Sequence, residues 1–167
     1  MNETDVVELV KPNLEGCTVT EVKDFGDAYA IYFVNDEYYK SKQLEDLKIG
    51  AGPIIYVKNT GEIFRTGSGR SAEQYITAYR ECGDVYGRES ETLAITGLPE
   101  ELNENKAILN LKAILGVGLA ESKAFFEQIA GKGEIEVALK NESEAEEARI
   151  KLAQYGFKVK RLWKRAR

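Results

Sequence analysis

The side chains of this 167-residue chain that can do chemistry are few and scattered. It contains no histidine. That removes the usual general base, the Ser-His-Asp and Cys-His arrangements, and most transition-metal sites. Cys17 and Cys82 stand far apart with no Cys-x-x-Cys pair, so there is no zinc signature. Arg65-Thr66-Gly67-Ser68-Gly69-Arg70 offers glycine amides flanked by guanidinium groups, a pattern that can hold an anion. It lacks the Gly-Lys-Ser/Thr ending of a nucleotide-binding loop, and a strand-to-helix turn needs glycine in any case. Asp36-Glu37 and Glu45-Asp46 have the composition of a divalent-metal site or a catalytic carboxylate pair, with a solvated acidic loop as the plainer alternative. Between them sit Tyr38 and Tyr39. Tyrosines set among acids suit a protein interface, the rings as anchors and the carboxylates as steering charge, unless one ring belongs to a core. No catalytic residue, metal or cofactor emerges, and a binding protein is expected rather than an enzyme.

Charge sharpens that expectation. The formal net charge of −5 falls on the first half: residues 1–88 hold 15 acidic and 10 basic side chains, residues 89–167 hold 13 of each. An acidic front half, with Asp27 among its exposed candidates, is suited to capturing a basic protein and poor for nucleic acid. The run Lys158–Arg167 is basic and free of acids; it can contact RNA, but reads first as a solvated, frayed terminus. The chain is 43% hydrophobic, enough for packed cores, and no apolar run is long enough to span a bilayer. No leader pattern opens it, so a cytoplasmic protein with reduced cysteines and no membrane partner is expected.

The elements that would position these residues form two groups. Residues 5–10 carry Val6, Val7, Leu9 and Val10, a short amphipathic helix ended near Pro12. Residues 18–24 and the run AYAIYFV at 28–34 read as strands joined at Gly26-Asp27. Residues 53–66 form a hairpin around Lys58-Asn59-Thr60-Gly61, and Ser71 with Gln74 forms a capping box for a helix over 71–81. The result is a four-stranded antiparallel sheet with both helices covering one face. The segment 35–49 is polar, with Leu44 and Leu47 permitting one helical turn. Residues 83–90 read as a linker.

Beyond it the order is β-α-α-β-α-β. Leu93 and Ile95 alternate; Ile108, Leu111 and Leu115 share a helix face; Leu119, Phe126 and Ala130 align on the next helix. Ile135, Val137 and Leu139 alternate; a third helix carries Ala145, Ala148 and Leu152 and ends at Gly156; Phe157–Leu162 is the last strand with Val159 inward. The acids Glu142–Glu147 then sit at a helix N-terminus, where they offset the macrodipole. The fold class is therefore α+β, with two small domains at 1–86 and 90–167.

Residues 50–81, GAGPIIYVKNTGEIFRTGSGRSAEQYITAYRE, carry a Gly-x-Gly-Pro entry, an apolar strand, a Thr-Gly-Glu turn, a Thr-Gly exit and a Tyr-Ile-x-x-Tyr helix. On these motifs residues 1–85 resemble the YrhB-like family of bacterial immunity proteins, small α+β domains associated with polymorphic toxin systems. The resemblance implies binding and neutralisation of a cognate toxin's C-terminal domain, with no chemistry by the inhibitor. A chaperone-like stress protein is the alternative within the same resemblance. The phrase LKAILGVGLAESKAFFE and the element order around it resemble the C-terminal domain of the bacterial ribosomal stalk protein, which recruits translation factors. That likeness puts Lys112, Gly118, Leu119 and Lys123 on motif positions and implies factor contacts through Lys112 and Lys123. The chain departs from the motif at Leu115, where that family usually has a basic residue, and its loop at Gly116-Val117-Gly118 is shortened.

Overall fold

The computed structural model of the protein describes residues 2–166. Its α+β chain folds as two compact units. One comprises the residues up to Gly87 together with Arg165 and Ala166, the other Arg88–Lys164.

The first unit contains α1 (Glu3–Val10), β1 (Cys17–Asp24), β2 (Ala28–Asn35), α2 (Asp36–Ser41), β3 (Ala51–Val57), β4 (Ile63–Gly67) and α3 (Ala72–Cys82). The strands make one antiparallel sheet in the order β1-β2-β3-β4. The capping box of Ser71 with Gln74 forms on α3, and a second one that sequence reasoning misses, Asn2 with Asp5, opens α1. The sequence reading puts both helices on one face of the sheet; the structure puts them on opposite faces. Val6 and Val10 of α1 pack on Tyr29, Ile31, Ile54 and Tyr56; Ala72, Tyr75 and Ile76 of α3 pack on Ala28, Ala30, Ile55 and Val57. Alternate residues of a strand point to opposite faces, so an unbroken apolar run such as AYAI or PIIYV needs cover on both.

The motif residues of 50–81 interlock around β3 and β4. The register breaks between Ala51 and Ile54, and there the Thr66 hydroxyl donates to the Pro53 carbonyl at 2.6 Å. The Tyr75 hydroxyl donates to Gly67 O at 2.9 Å, and that of Tyr86 donates to Arg65 O. At the far turn, the Tyr79 hydroxyl donates to the Glu62 carboxylate at 2.5 Å. The stretch 83–90 is divided between the units. Val85 is fully buried in the first unit's core and the Asp84 carboxylate accepts the backbone amides of Tyr86 and Ala166, while the first strand of the second unit begins at Arg88. Arg165 Nε donates to Cys82 O at 2.9 Å.

The second unit runs β5 (Arg88–Gly97), α4 (Glu104–Leu115), α5 (Leu119–Lys132), β6 (Ile135–Ala138), α6 (Glu142–Gln154) and β7 (Lys158–Lys164), with an antiparallel sheet ordered β6-β5-β7. Leu93, Ile95, Ile108, Leu111, Phe126, Ile129 and Leu152 make its core. On α5 the inward face is Ser122, Phe126 and Ile129, while Leu119 and Ala130 face out. Phasing the helix on Leu119 selects Ala130, four residues past Phe126; the core uses Ile129, three past it. Ser122 tolerates complete burial because its hydroxyl donates to Leu119 O at 2.9 Å.

Over residues 158–166 the basic run is ordered against the rest of the chain; Arg167 lies outside the described residues. Lys158–Lys164 is β7, paired with β5, and two of its four charges, Arg161 and Lys164, meet acids of the same unit. Lys164 pairs with Glu91 at 2.6 Å and Glu142 at 3.3 Å, and Arg161 with Glu89 at 3.1 Å. The acids at the start of α6 thus act beyond the helix dipole: Glu142 and Glu146 also neutralise β7.

Candidate partner-binding surface

The residues singled out by charge and aromaticity begin where β2 ends. Asn35 is buried and its carboxamide ties down the segment that comes after it: Nδ2 donates to Asp46 O at 2.8 Å, and Oδ1 accepts the Lys48 amide at 3.1 Å. Asp36 opens α2, its amide donating to Gly16 O at 3.0 Å and its carboxylate accepting the Thr18 hydroxyl at 2.6 Å. A helical stretch and a single turn at Leu44–Asp46 therefore form a fixed protrusion where the sequence indicated at most one turn. Lys42 closes α2 at φ 59°, and is the one non-glycine with positive φ among the described residues. Such backbone is costly for a side chain and clusters at functional sites. Lys42 Nζ lies 4.0 Å from the centroid of the Tyr39 ring, a cation–π contact that orients the tyrosine.

On this protrusion Leu44 is 79% exposed and Tyr39 45%, and Ile49, the residue after clamped Lys48, is 90% exposed. Glu37 and Glu45 are exposed beside them, whereas Asp36, Tyr38 and Asp46 are half-buried. Single apolar residues on a surface are ordinary, but two nearly full aliphatic exposures on one clamped segment are not. Sequence reasoning finds the tyrosines and acids and misses Leu44 and Ile49 as contact residues. Their signal is there: isolated aliphatic residues in a polar stretch with no periodic partner.

Asp27 lies elsewhere. It sits in the β1–β2 turn, at the opposite end of β2 from Asp36, and Arg80 of α3 grips it with two bonds of 2.6 and 2.9 Å. The Arg80 guanidinium holds the Asp27 carboxyl below its ordinary 3.8. Lys58, 2.6 Å away, lowers Asp24 in the same way, and the Tyr79 hydroxyl lowers Glu62. Asp27 is thus held as a turn-to-helix tie. Lys112 and Lys123 are both exposed, on α4 and α5 of the second unit, while Leu115 points into the core. The sequence candidates therefore fall into three places, and only the set 36–46 forms one surface.

The glycine loop is also accounted for. Arg70 donates to Gly87 O at 2.8 Å and lies beside the Tyr75 ring, and in the first turn of α3 the Gln74 amide is met by the Ser71 hydroxyl. Among the described residues no group of three or more carboxylates or thiols gathers at metal-ligand spacing, and no helix is long and apolar enough to cross a membrane. Compared with known proteins, the chain matches no family model, no curated protein and no solved structure.

The ties at this end of the sheet make stability depend on pH. Asp24, Asp27 and Glu62 have folded pKa values below their unfolded ones, so the unfolded chain binds protons first as pH falls. Their stabilisation is complete above the ordinary values of 3.8 and 4.5 and is lost as pH drops through the lowered ones. Urea midpoints measured between about pH 6 and about pH 2.5 should fall with acid, and Asp27→Asn should flatten part of that slope.

Proposed function

We propose that this protein acts by binding: it occludes another protein, as an immunity protein neutralises its cognate toxin domain, and performs no covalent chemistry itself. One observation carries the reading, the pair Leu44 and Ile49 held out on a segment clamped by buried Asn35. Apolar side chains that stay exposed on a hydrogen-bonded segment of the free protein are what a partner buries at the centre of an interface. The surplus of acids over residues 1–88 adds long-range attraction for a basic partner. A toxin that cuts RNA or DNA needs such a basic phosphate cleft, and an acidic inhibitor can occupy it. The likeness of residues 50–81 to immunity proteins supports the same class.

Co-expression with a toxin encoded beside this gene should protect the cell and yield a complex whose association rate falls with salt. Leu44→Ser with Ile49→Ser should weaken that complex by about 100-fold, roughly 3 kcal/mol, the scale of interface hot spots. The urea midpoint should stay where it is. Lack of both protection and complex retires the reading. A second reading, a translation-factor adaptor, draws on exposed Lys112, Leu119 and Lys123 around the Gly116–Gly118 turn. It is weakened at Leu115, whose buried side chain stands where the stalk family has a charge. Capture of elongation factors by the full chain, abolished by K112E with K123E, is its test.

A further inference from the structure

The two edges of the first unit's sheet are finished differently. On β4 the carbonyls of Arg65 and Gly67 are occupied by the hydroxyls of Tyr86 and Tyr75, so that edge cannot accept another strand there. On β1 the first residues meet α2 through the Thr18–Asp36 bond, but Thr20, Glu21, Lys23 and Asp24 are exposed. Its pairing with β2 fixes which backbone groups are free. Phe25 N donates to Ala28 O at the turn, and in an antiparallel ladder bonded pairs alternate with non-bonded ones. Counting back along the register, Lys23–Ala30 and Glu21–Tyr32 are bonded pairs, and the amide and carbonyl of Val22 point away from β2.

The side chains around Val22 are self-complementary. A second β1 laid antiparallel on a two-fold axis through Val22 sets Val22 opposite Val22, Glu21 opposite Lys23 and Lys23 opposite Glu21. The central pair exchanges both backbone bonds. The flanking pairs are then the non-bonded kind, whose side chains approach most closely. Within one chain Glu21 and Lys23 make a loose 3.6 Å contact and Lys23 Nζ lies 5.2 Å from the Tyr32 ring centroid, but their side chains are 54% and 49% exposed, so both can turn to a partner. The irregularity between Val19 and Glu21 ends the ladder on one side, and the β1–β2 turn ends it on the other. Parallel pairing and shifted registers set like charges together or leave them unmatched. We propose that β1 is a self-association edge through which two copies of this chain pair as an isologous, weak dimer.

Sedimentation equilibrium of the full chain from micromolar to millimolar concentration tests this, with circular dichroism to verify that each variant is folded. The mass should rise from 18.7 kDa toward twice that value with concentration. E21K and K23E should each remain monomeric, because each sets like charges opposite one another. The double swap E21K/K23E should dimerise again, and an equimolar mixture of the two single variants should form a heterodimer. A wild type that stays monomeric throughout, single variants that associate like the wild type, or a mixture that fails to associate would each overturn the proposal.

Discussion

Gly52→Ala should destabilise the first unit by about 3–5 kcal/mol, a large share of what holds a small domain together. A Cβ at this position would stand 2.1 Å from the Gly67 carbonyl oxygen, 2.6 Å from its carbon and 2.7 Å from Thr66 Oγ1. Two of those atoms are backbone, so no rotamer change relieves the overlap; β3 and β4 must separate where they cross. Separation also breaks the Thr66–Pro53 and Tyr75–Gly67 bonds, and with them the seat of α3. Gly69→Ala is the control. Its added methyl meets nothing within 4 Å, and the variant should be neutral or slightly stabilised. Eight of the nine tyrosines lie in the first unit, so the near-ultraviolet tyrosine signal reports its unfolding. Equal midpoints for the two variants would show that the sheet opens at Gly52 without cost.

The same glycine shows how much is legible in the sequence. The Gly-x-Gly-Pro entry, the Thr-Gly exit and the tyrosine helix can be read as a pattern from residue types alone. That these motifs lock into one another is visible only once the strands are paired. Strand positions are plain because aromatic and β-branched runs admit little else; which helix covers which face is not, since AYAIYFV carries no alternation to orient it. The candidate surface is half legible. Acids and tyrosines at 36–46 advertise themselves by composition, yet the clamp is a single asparagine whose bonds reach 11 and 13 residues ahead. Asp27 looks equivalent to Asp36 in sequence because its partner, Arg80, is 53 residues away. The basic run at 158–164 misleads for the same reason: its neutralising acids lie on β5 and α6, and local composition does not reveal distant pairing.

Arg161 shows how strongly such a distant pairing can act. Its register partner is Leu93, and β5 is irregular between Glu89 and Leu93, which leaves carbonyls without a strand partner. The guanidinium fills that gap, Nε donating to Ser90 O at 2.9 Å, Nη2 to Glu89 O at 3.3 Å and Nη1 to the Glu89 carboxylate at 3.1 Å. Its side chain is only 9% exposed, so the charge depends on these acceptors. Arg161→Leu removes the donors and leaves both carbonyls in a site little open to water. Glu89 and Glu146, at 44% and 38% exposed, can rehydrate, which trims the penalty to about 2–3 kcal/mol. Arg161→Lys keeps the charge but not the planar fork, and should lose roughly half as much. The one tryptophan, Trp163, lies two residues along the same strand opposite Glu89, so its fluorescence tracks the transition directly. If lysine restores full stability, charge alone carries the effect; if leucine does, the bulge needs no donor.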